Sequence, residues 1–319
     1  MDTNKIDPEL RLISRLVPPL PLHYPIARAV SKLSMALYPN PKSVNGIPLT
    51  ILDLGPIQLR LFMPTSKKKR AALLWIHGGG YMLGAAAMDD KSCADFAKNH
   101  DLAIVSVDYR LAPTHPFPTP LDDCFYAWQW LQQNAKDLGV NPERVLIGGQ
   151  SAGGGLAAAL AQRIYDSAET QPIGQVLLCP MLDDRTAIRP DIKPRQHKFW
   201  NKNNTYGGWQ AYLSQDPGAS QTPEYAVPAR RENLGGLAPA WIGVGDVDLF
   251  FDESKFYSER LQQANVPCHF EVAAGGPHGF ERLRPLATIS RRYMDSCNQF
   301  IQQVLKGDCH ATNQTKRDA

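Results

Sequence analysis

The chain has 319 residues, of which 43% are apolar and 20% charged, as is ordinary for a globular protein with a large core. That length suits a single large α/β domain with insertions. The formal net charge is +3, and so small an excess argues against nucleic acid as the main partner, because phosphate neutralisation needs a concentrated basic face. One basic run, at residues 67–70, has no interleaved aromatic residue and is predicted to be a solvated loop.

The N-terminal stretch, MDTNKIDPELRLISRLVPPLPL, has acidic residues early and prolines where a signal peptide would have its apolar core. No segment reaches the roughly 18 apolar residues of a membrane span. The six cysteines are scattered without a CxxC pair, which indicates reduced structural thiols and no zinc site. We therefore predict a cytoplasmic protein without stable membrane insertion. The sequence leaves a homodimer open.

Short apolar runs alternate with longer helical patterns along the chain. Several runs are apolar almost throughout, as strands covered on both faces must be. This alternation predicts an α/β fold with a mostly parallel, doubly wound sheet. The predicted strands are 56–62, 71–77, 102–109, 144–149, 175–182, 238–245 and 268–274, and the predicted helices are 89–99, 121–138, 152–167, 252–265 and 286–305.

Two stretches depart from this rhythm. Residues 1–48 are helical in pattern and broken by prolines, and residues 184–226 contain no predicted strand but many aromatic residues. We expect the two to meet as a helical cap over one end of a core formed by residues 49–183 and 227–308, the alternative being surface decoration. The polar tail, 309–319, is predicted to be disordered.

A glycine-rich loop, His77-Gly78-Gly79-Gly80, follows the predicted strand 71–77. Acyl transfer creates a negatively charged oxygen that needs N–H donors already in place, and glycines leave such N–H groups unobstructed. The alternative is a merely flexible turn. We predict that the amides of Gly79 and Gly80 donate to this oxyanion, and that His77 holds the loop.

The stretch IGGQSAGGG, residues 147–155, places Ser151 between a predicted strand and a predicted helix. Gly149 to Gly153 fit G-x-S-x-G, a turn in which strained backbone lifts a serine hydroxyl clear of its neighbours. Glycine-rich turns of this kind also bind phosphates, but neither G-x-G-x-x-G nor G-x-x-x-x-G-K is present. We therefore predict a serine nucleophile, with the amide of Ala152 as a third oxyanion donor.

A serine nucleophile needs a base, and the base needs an orienting acid. Of the eight histidines, His278 in GGPHGF is favoured because it follows the last predicted strand in an exposed turn. The segment GVGDVDLFFDE offers the acid. We favour Asp248, with Asp246 as the runner-up and Asp252 as a helix N-cap.

Five motifs occur in the order found in one known family. They are HGGG at 77–80, DYRLAPTHPFP at 108–118, GQSAGGG at 149–155, DLFFDE at 248–253 and PHGF at 277–280. Together they make the chain resemble the hormone-sensitive-lipase branch of the α/β-hydrolases, which includes many bacterial carboxylesterases. The resemblance implies an α/β-hydrolase fold with a helical cap, and it supports Asp248 as the acid. Gln150 and Thr114 depart from the Asp or Thr and the Glu that are usual at those positions.

The predicted activity is therefore serine-dependent hydrolysis of carboxylic esters without a metal or organic cofactor. The resemblance implies short to medium acyl chains. Aromatic residues of the cap either line the acyl pocket or form the core of the cap; they are Trp200, Tyr206 and Trp209, with Leu16 or Tyr24 beside them. The alternatives are an amidase, thioesterase or arylacetamide deacetylase with the same triad, and a non-catalytic small-molecule receptor.

Overall fold

The computed structural model describes residues 3–17, 38–65, 70–193, 197 and 199–308. Within this part, nine strands form one sheet in the order β1-β2-β3-β5-β4-β6-β7-β8-β9. The strands are β1 (Ser43–Val44), β2 (Ile47–Asp53), β3 (Gln58–Phe62), β4 (Arg70–Ile76), β5 (Ala103–Asp108), β6 (Val140–Gln150), β7 (Gly174–Leu178), β8 (Ala240–Gly245) and β9 (Cys268–Ala273).

Helices connect most of these strands. They are α1 (Pro8–Leu16), α2 (Asp90–His100), α3 (Thr119–Asn134), α4 (Ala152–Asp166), α5 (Lys202–Leu213), α6 (Phe251–Gln263), α7 (Phe280–Leu283) and α8 (Thr288–Lys306). In the part of the chain that the structure describes, no helix combines the length and the apolar character needed to cross a bilayer.

Strand β4 shows how the sheet is built, because every one of its residues is buried. Ala72, Leu74 and Ile76 belong to the apolar cluster that contains residues of α3 and α4. Leu73 and Trp75 point to the opposite face, where residues of α2 and α8 complete a second cluster. Side chains alternate between the faces of a strand, so a strand covered on both faces must be apolar at every position. The predicted α/β fold is thus confirmed.

Pairing from β5 through β9 is parallel, in the order β5-β4-β6-β7-β8-β9. Strands β1, β2 and β3 extend the sheet on one side by antiparallel pairing. The carboxyl ends of the parallel strands therefore share one edge of the sheet, which is where ligands bind in such folds.

Some predicted boundaries were wrong. Strand β2 was not predicted, because its half-buried positions lack the continuous apolar character of the other strands. The run predicted as a strand over 175–182 ends at Leu178, since Cys179 has a positive φ of 36° and Pro180 has no N–H to donate.

The N-terminal segment packs close to the end of β9. Ile6 and Leu10 join the apolar cluster that includes Phe280. The N–H of Asp7 donates to the carbonyl of Gly275 at 3.0 Å, three residues before His278. Residues 18–37, with Tyr24, lie outside the described residues, as do most of the basic run and the tail 309–319.

The insertion between β7 and β8 is closed at its base by one buried carboxylate. Asp184 accepts hydrogen bonds from Arg230 Nε at 2.8 Å and Nη2 at 2.9 Å. It also accepts from the N–H of Gly218 at 2.6 Å. The Asp184 side chain has no exposed surface. One residue therefore joins the beginning of the insertion to its returning segment.

We expect Arg230→Ala to lower the free energy of unfolding by about 3–5 kcal/mol, because it leaves the buried Asp184 carboxylate without its cation. Urea denaturation at neutral pH measures this change. Arg231→Ala is the matched control, since Arg231 pairs with the partly exposed Asp166. The control should cost about 1 kcal/mol or less. Equal losses in the two variants would contradict the assignment.

Candidate active site

Ser151 lies between the end of β6 and the start of α4, with φ 57° and ψ −120°. This conformation is rare for a residue with a side chain. The flanking glycines, Gly149 and Gly153, allow the backbone to pack closely on both sides of this turn. A Cβ at Gly149 would lie 2.4 Å from the Gly153 carbonyl oxygen, and one at Gly153 would lie 2.1 Å from the Ile76 carbonyl oxygen. The glycines of G-x-S-x-G are therefore required by close backbone packing.

The structure brings Ser151, His278 and Asp248 into one chain of hydrogen bonds. His278 Nε2 lies 3.0 Å from Ser151 Oγ, and His278 Nδ1 lies 2.8 Å from Asp248 Oδ2. The other Asp248 oxygen accepts from the N–H of Phe250 at 3.0 Å, so both carboxylate oxygens are held. This geometry places a base on the serine and an acceptor behind the base.

The other two aspartates of the acid segment are engaged elsewhere. Asp246 Oδ1 accepts from the N–H of Gly275 at 2.6 Å and so braces the loop that leads to His278. Asp252 forms an ion pair with Arg189 at 2.5 Å. It is not the predicted N-cap, since α6 begins at Phe251 and Asp252 is in its first turn.

The glycine loop after β4 turns back on itself, with φ 125° at Gly79 and φ 60° at Gly80. Within the described residues, the N–H groups of Gly79, Gly80 and Ala152 donate to no backbone carbonyl. Ala152 is also the first residue of α4, whose amino end favours negative charge. These three amides are therefore free to donate hydrogen bonds to an anionic oxygen.

His77 holds this loop in place. Its Nδ1 contacts the Gly78 carbonyl oxygen at 2.7 Å, and its ring stacks on Tyr109 with centroids 4.3 Å apart. The Tyr109 hydroxyl donates to the His77 carbonyl at 3.1 Å. Tyr109 of the DYRLAP segment thus supports the residue that begins the glycine loop.

The DYRLAP segment makes further contacts nearby. Asp108 accepts from the N–H of Ala86 at 2.8 Å, while Arg110 pairs with Asp123 at 2.7 Å.

Electrostatics at the site favour a proton on the imidazole. Burial on its own lowers the pKa of His278, but its contacts with the Asp248 carboxylate and with Cys179 together raise this pKa well above the ordinary 6.5. Burial raises the pKa of the neighbouring Cys179 thiol to about 11, so this thiol stays protonated at neutral pH. The carboxylate behind His278 is therefore positioned to stabilise the imidazolium that forms when a serine proton is transferred.

One group of metal-ligating side chains occurs among the described residues. Ligand atoms of Cys179, Asp248 and His278 lie within 4.8 Å of one another. Sulfur, imidazole and carboxylate donors suit a soft divalent ion such as Zn²⁺. Such an ion would compete with the Asp248–His278 hydrogen bond and would oppose the proton transfer described above. The absence of a cofactor requirement stays a prediction.

The predicted pocket residues lie in three different environments. Trp200 contacts the glycine loop, because a Cβ at Gly80 would lie 2.2 Å from its ring, and its ring centroid lies 6.3 Å from that of His278. Trp209 has no exposed surface and packs against the stacked rings of Tyr81 and Tyr212, so it belongs to the core.

Tyr206 and Leu16 face solvent instead. The Tyr206 hydroxyl donates to Asp216 at 2.8 Å, on the side of α5 that borders a depression of about 670 Å³ formed with Pro113 and Gln210. Leu16 is 69% exposed. Of the two roles predicted for these aromatic residues, the core role fits Trp209, and Trp200 is the one that contacts the glycine loop beside His278.

Several residues at the site were missed from the sequence. Phe250 packs edge-on against the His278 ring with centroids 5.2 Å apart. Gly208 of α5 lies directly on the glycine loop, since a Cβ there would be 2.8 Å from the Gly80 carbonyl oxygen. Glu281 lies one turn after His278 and is buried. Phe250 lies within the DLFFDE motif, but no local motif marks Gly208 or Glu281, because their roles arise from contacts between distant segments.

Comparisons with known proteins identify the family of this chain. Residues 73–282 match a family described as alpha/beta hydrolase fold. Esterase LipI of Mycobacterium tuberculosis is 29% identical over 285 residues, covering 86% of this chain and 88% of its own length. Ethyl acetate hydrolase of Pseudomonas putida is 30% identical over 247 residues, covering 76% of this chain and 77% of its own.

Among solved structures, a bacterial heroin esterase superposes with a TM-score of 0.87 at 31% identity, covering 96% of this chain and 99% of that one. The chain belongs to the α/β-hydrolase fold family, and its resemblance to the carboxylesterases of the hormone-sensitive-lipase branch is confirmed.

A pH profile tests the electrostatics of His278. Only the neutral imidazole can accept the serine proton, and its pKa in the folded protein lies above 6.5. We therefore expect kcat/KM for an ester with a non-titrating leaving group to fall as the pH decreases through a single pKa above 6.5. An acid limb below that value would contradict the arrangement.

The two aspartates are distinguished by matched substitutions. Asp248→Asn should lower kcat by about 10⁴-fold and move the acid limb to lower pH, because it removes the partner of the imidazole proton. Asp246→Asn should cost about tenfold or less, since Asp246 contacts only the loop backbone at Gly275. Initial rates of the two variants on one ester distinguish the two aspartates. A larger loss in Asp246→Asn than in Asp248→Asn would identify Asp246 as the partner of His278.

Proposed function

We propose that this protein is a carboxylesterase that hydrolyses esters with short to medium acyl chains through an acyl-enzyme on Ser151. The observation that carries this proposal is the continuous contact from Asp248 through His278 to the Ser151 hydroxyl, beside three free amides. The names of the matched relatives, esterase and ethyl acetate hydrolase, support ester hydrolysis.

In the first half of the reaction, Ser151 Oγ attacks the ester carbonyl carbon while its proton passes to His278 Nε2. The carbonyl oxygen becomes an oxyanion that the amides of Gly79, Gly80 and Ala152 bind. Preorganised donors of this kind are usually the largest single source of stabilisation in acyl transfer. Asp248 holds the imidazole ring with Nε2 toward the serine and stabilises its positive charge.

The intermediate then collapses. The bond to the alcohol oxygen breaks, and the alcohol leaves with the proton from His278 Nε2. A water molecule gives a proton to the same nitrogen as it attacks the acyl carbon, and a second collapse returns the proton to Ser151 Oγ and releases the acid. Each half returns His278 to its neutral form, so no external acid or base is consumed.

Trp200 supports the proposed preference for small acyl groups. It lies against Gly80 and near His278, so a substrate whose carbonyl oxygen reaches the Gly80 amide has an indole ring beside it. Trp200 Nε1 donates to Thr205 at 2.8 Å, and this bond fixes the ring in place. A rigid aromatic wall close to the reacting carbon limits the length of an acyl chain on that side.

We also propose that α1 and the described part of the insertion 184–226 form a cap, since α1 begins beside the loop that carries His278 and α5 packs on the glycine loop. A cytoplasmic location is our proposal from the five free cysteines among the described residues, at positions 93, 124, 179, 268 and 297.

A panel of nitrophenyl esters of increasing acyl length, with matched amides, tests the function. We expect the highest kcat/KM on short acyl esters and much slower amide hydrolysis. Ser151→Ala should lose about 10⁴- to 10⁶-fold in turnover. Trp200→Ala should shift the optimum toward longer chains because it removes the wall.

Three results would count against the proposal. Wild-type rates in Ser151→Ala would remove Ser151 from the mechanism. Faster cleavage of the amides than of the esters would identify an amidase. Binding without turnover of any substrate would indicate a receptor.

A further inference from the structure

Gln150 links the two loops that carry Ser151 and His278. It is the last residue of β6 and only 6% exposed. Its Nε2 donates to Glu281 Oε1, and its Oε1 accepts from Arg282 Nη1 at 2.8 Å. The histidine loop lies directly over it, since a Cβ at Gly279 would be 3.8 Å from Gln150 Nε2. One side chain thus joins the residue before the nucleophile to the short helix after the base.

The chemistry of this position requires a side chain that both donates and accepts. A guanidinium can only donate and an ionised carboxylate can only accept, so a residue between Arg282 and Glu281 must do both. A carboxylate at position 150 could accept from Arg282, but it would face Glu281 within hydrogen-bond distance as a like charge. Gln150 meets both demands, whereas an ionised Asp, one of the two usual residues at this position, does not.

The linkage continues into the sheet. Arg282 Nη1 lies 2.6 Å from Asp89 Oδ1, and Arg282 Nη2 donates to the Met88 carbonyl at 2.8 Å. The second Asp89 oxygen accepts from Trp75 Nε1 of β4 at 2.7 Å. The helix after His278 is thus anchored to the strand that leads into the glycine loop.

Glu281 is an unusual group to bury. It is 7% exposed, and its Oε2 accepts no hydrogen bond from the residues that the structure describes. Burial raises its pKa, while the charge of His278 acts in the opposite direction. The groups that face this region are Arg282 on its own helix, His278 and Asp248 at the ends of loops, Cys179 after β7, Asp89 before α2 and Tyr293 on α8.

We propose that Gln150 and Glu281 are positioning residues for the proposed triad. Gln150 fixes the separation of the serine and histidine loops, and Glu281 adds a second negative charge behind the imidazolium that forms on His278 during attack. The proposal rests on the proposed function, and it assigns a purpose to a buried carboxylate outside the proposed triad.

Glu281→Gln separates charge from packing, because the new amide oxygen can still accept from Gln150. We expect kcat to fall about tenfold with KM within about twofold, and the acid limb of kcat/KM to move to lower pH, since one negative charge near His278 is lost. Glu259→Gln is the matched control, because Glu259 is exposed and lies on α6. It should leave both the rate and the acid limb unchanged.

Exchanging the amide and the carboxylate between positions 150 and 281 tests the contact between the two side chains. Gln150→Glu places two carboxylates together, and we expect kcat at pH 8 to fall about 30-fold or more through displacement of the histidine loop. The double variant Gln150→Glu with Glu281→Gln restores one amide and one carboxylate in contact. It should recover about tenfold of that loss, which is the coupling expected between residues that act as a pair.

Both results are required. An acid limb and kcat in Glu281→Gln equal to those of the wild type would overturn the proposal, and so would a double variant no more active than Gln150→Glu. If Gln150→Glu fails to fold, a double variant that is folded but inactive also overturns it. Ser151→Ala is measured in parallel: if that variant is active the proposed function fails, whereas if it is inactive and the paired variants match the wild type, only the present inference fails.

Discussion

At Ser151 the chain must pass from a buried strand into a helix within one residue, and the remainder of the site is arranged around that turn. The backbone there, at φ 57° and ψ −120°, is held because Gly149 and Gly153 pack against neighbouring carbonyls with no room for a side chain. Strain of this kind persists only where the surroundings overdetermine it. The turn presents a hydroxyl and a helix amino end at the same point, which places a nucleophile next to groups that bind the charge it creates.

Three separate segments must then reach that point. The loops after β8 and β9 bring Asp248 and His278, and the loop after β4 brings the free amides. Parallel strands make this convergence possible because their carboxyl ends lie at one edge of the sheet. Each loop is braced by contacts away from the reacting atoms: Asp246 on Gly275, His77 on Gly78, and Gln150 on Glu281. Precise catalytic geometry depends on supports of this kind.

The sequence predicted the parallel core well, because a continuous apolar run such as β4 is typical of a strand that is covered on both faces. It also predicted the residues that the structure brings together at Ser151, since glycine spacing reports backbone geometry directly. It failed where side-chain placement depends on distant packing. Trp200 and Trp209 are the same residue type at nearly the same place in the chain, yet one contacts the glycine loop and the other is core. Glu281 carried no signal, because its partner is 131 residues away.

The contact of the insertion with the glycine loop has a consequence for how this enzyme can diversify. Gly208 and Trp200 both pack against Gly80, so the proposed acyl wall is in direct contact with a proposed oxyanion donor. A graft that exchanges the insertion for that of a relative alters both at once. Evolution toward bulkier substrates along this route therefore trades selectivity against turnover, and variation at surfaces that do not touch Gly80 offers the freer path.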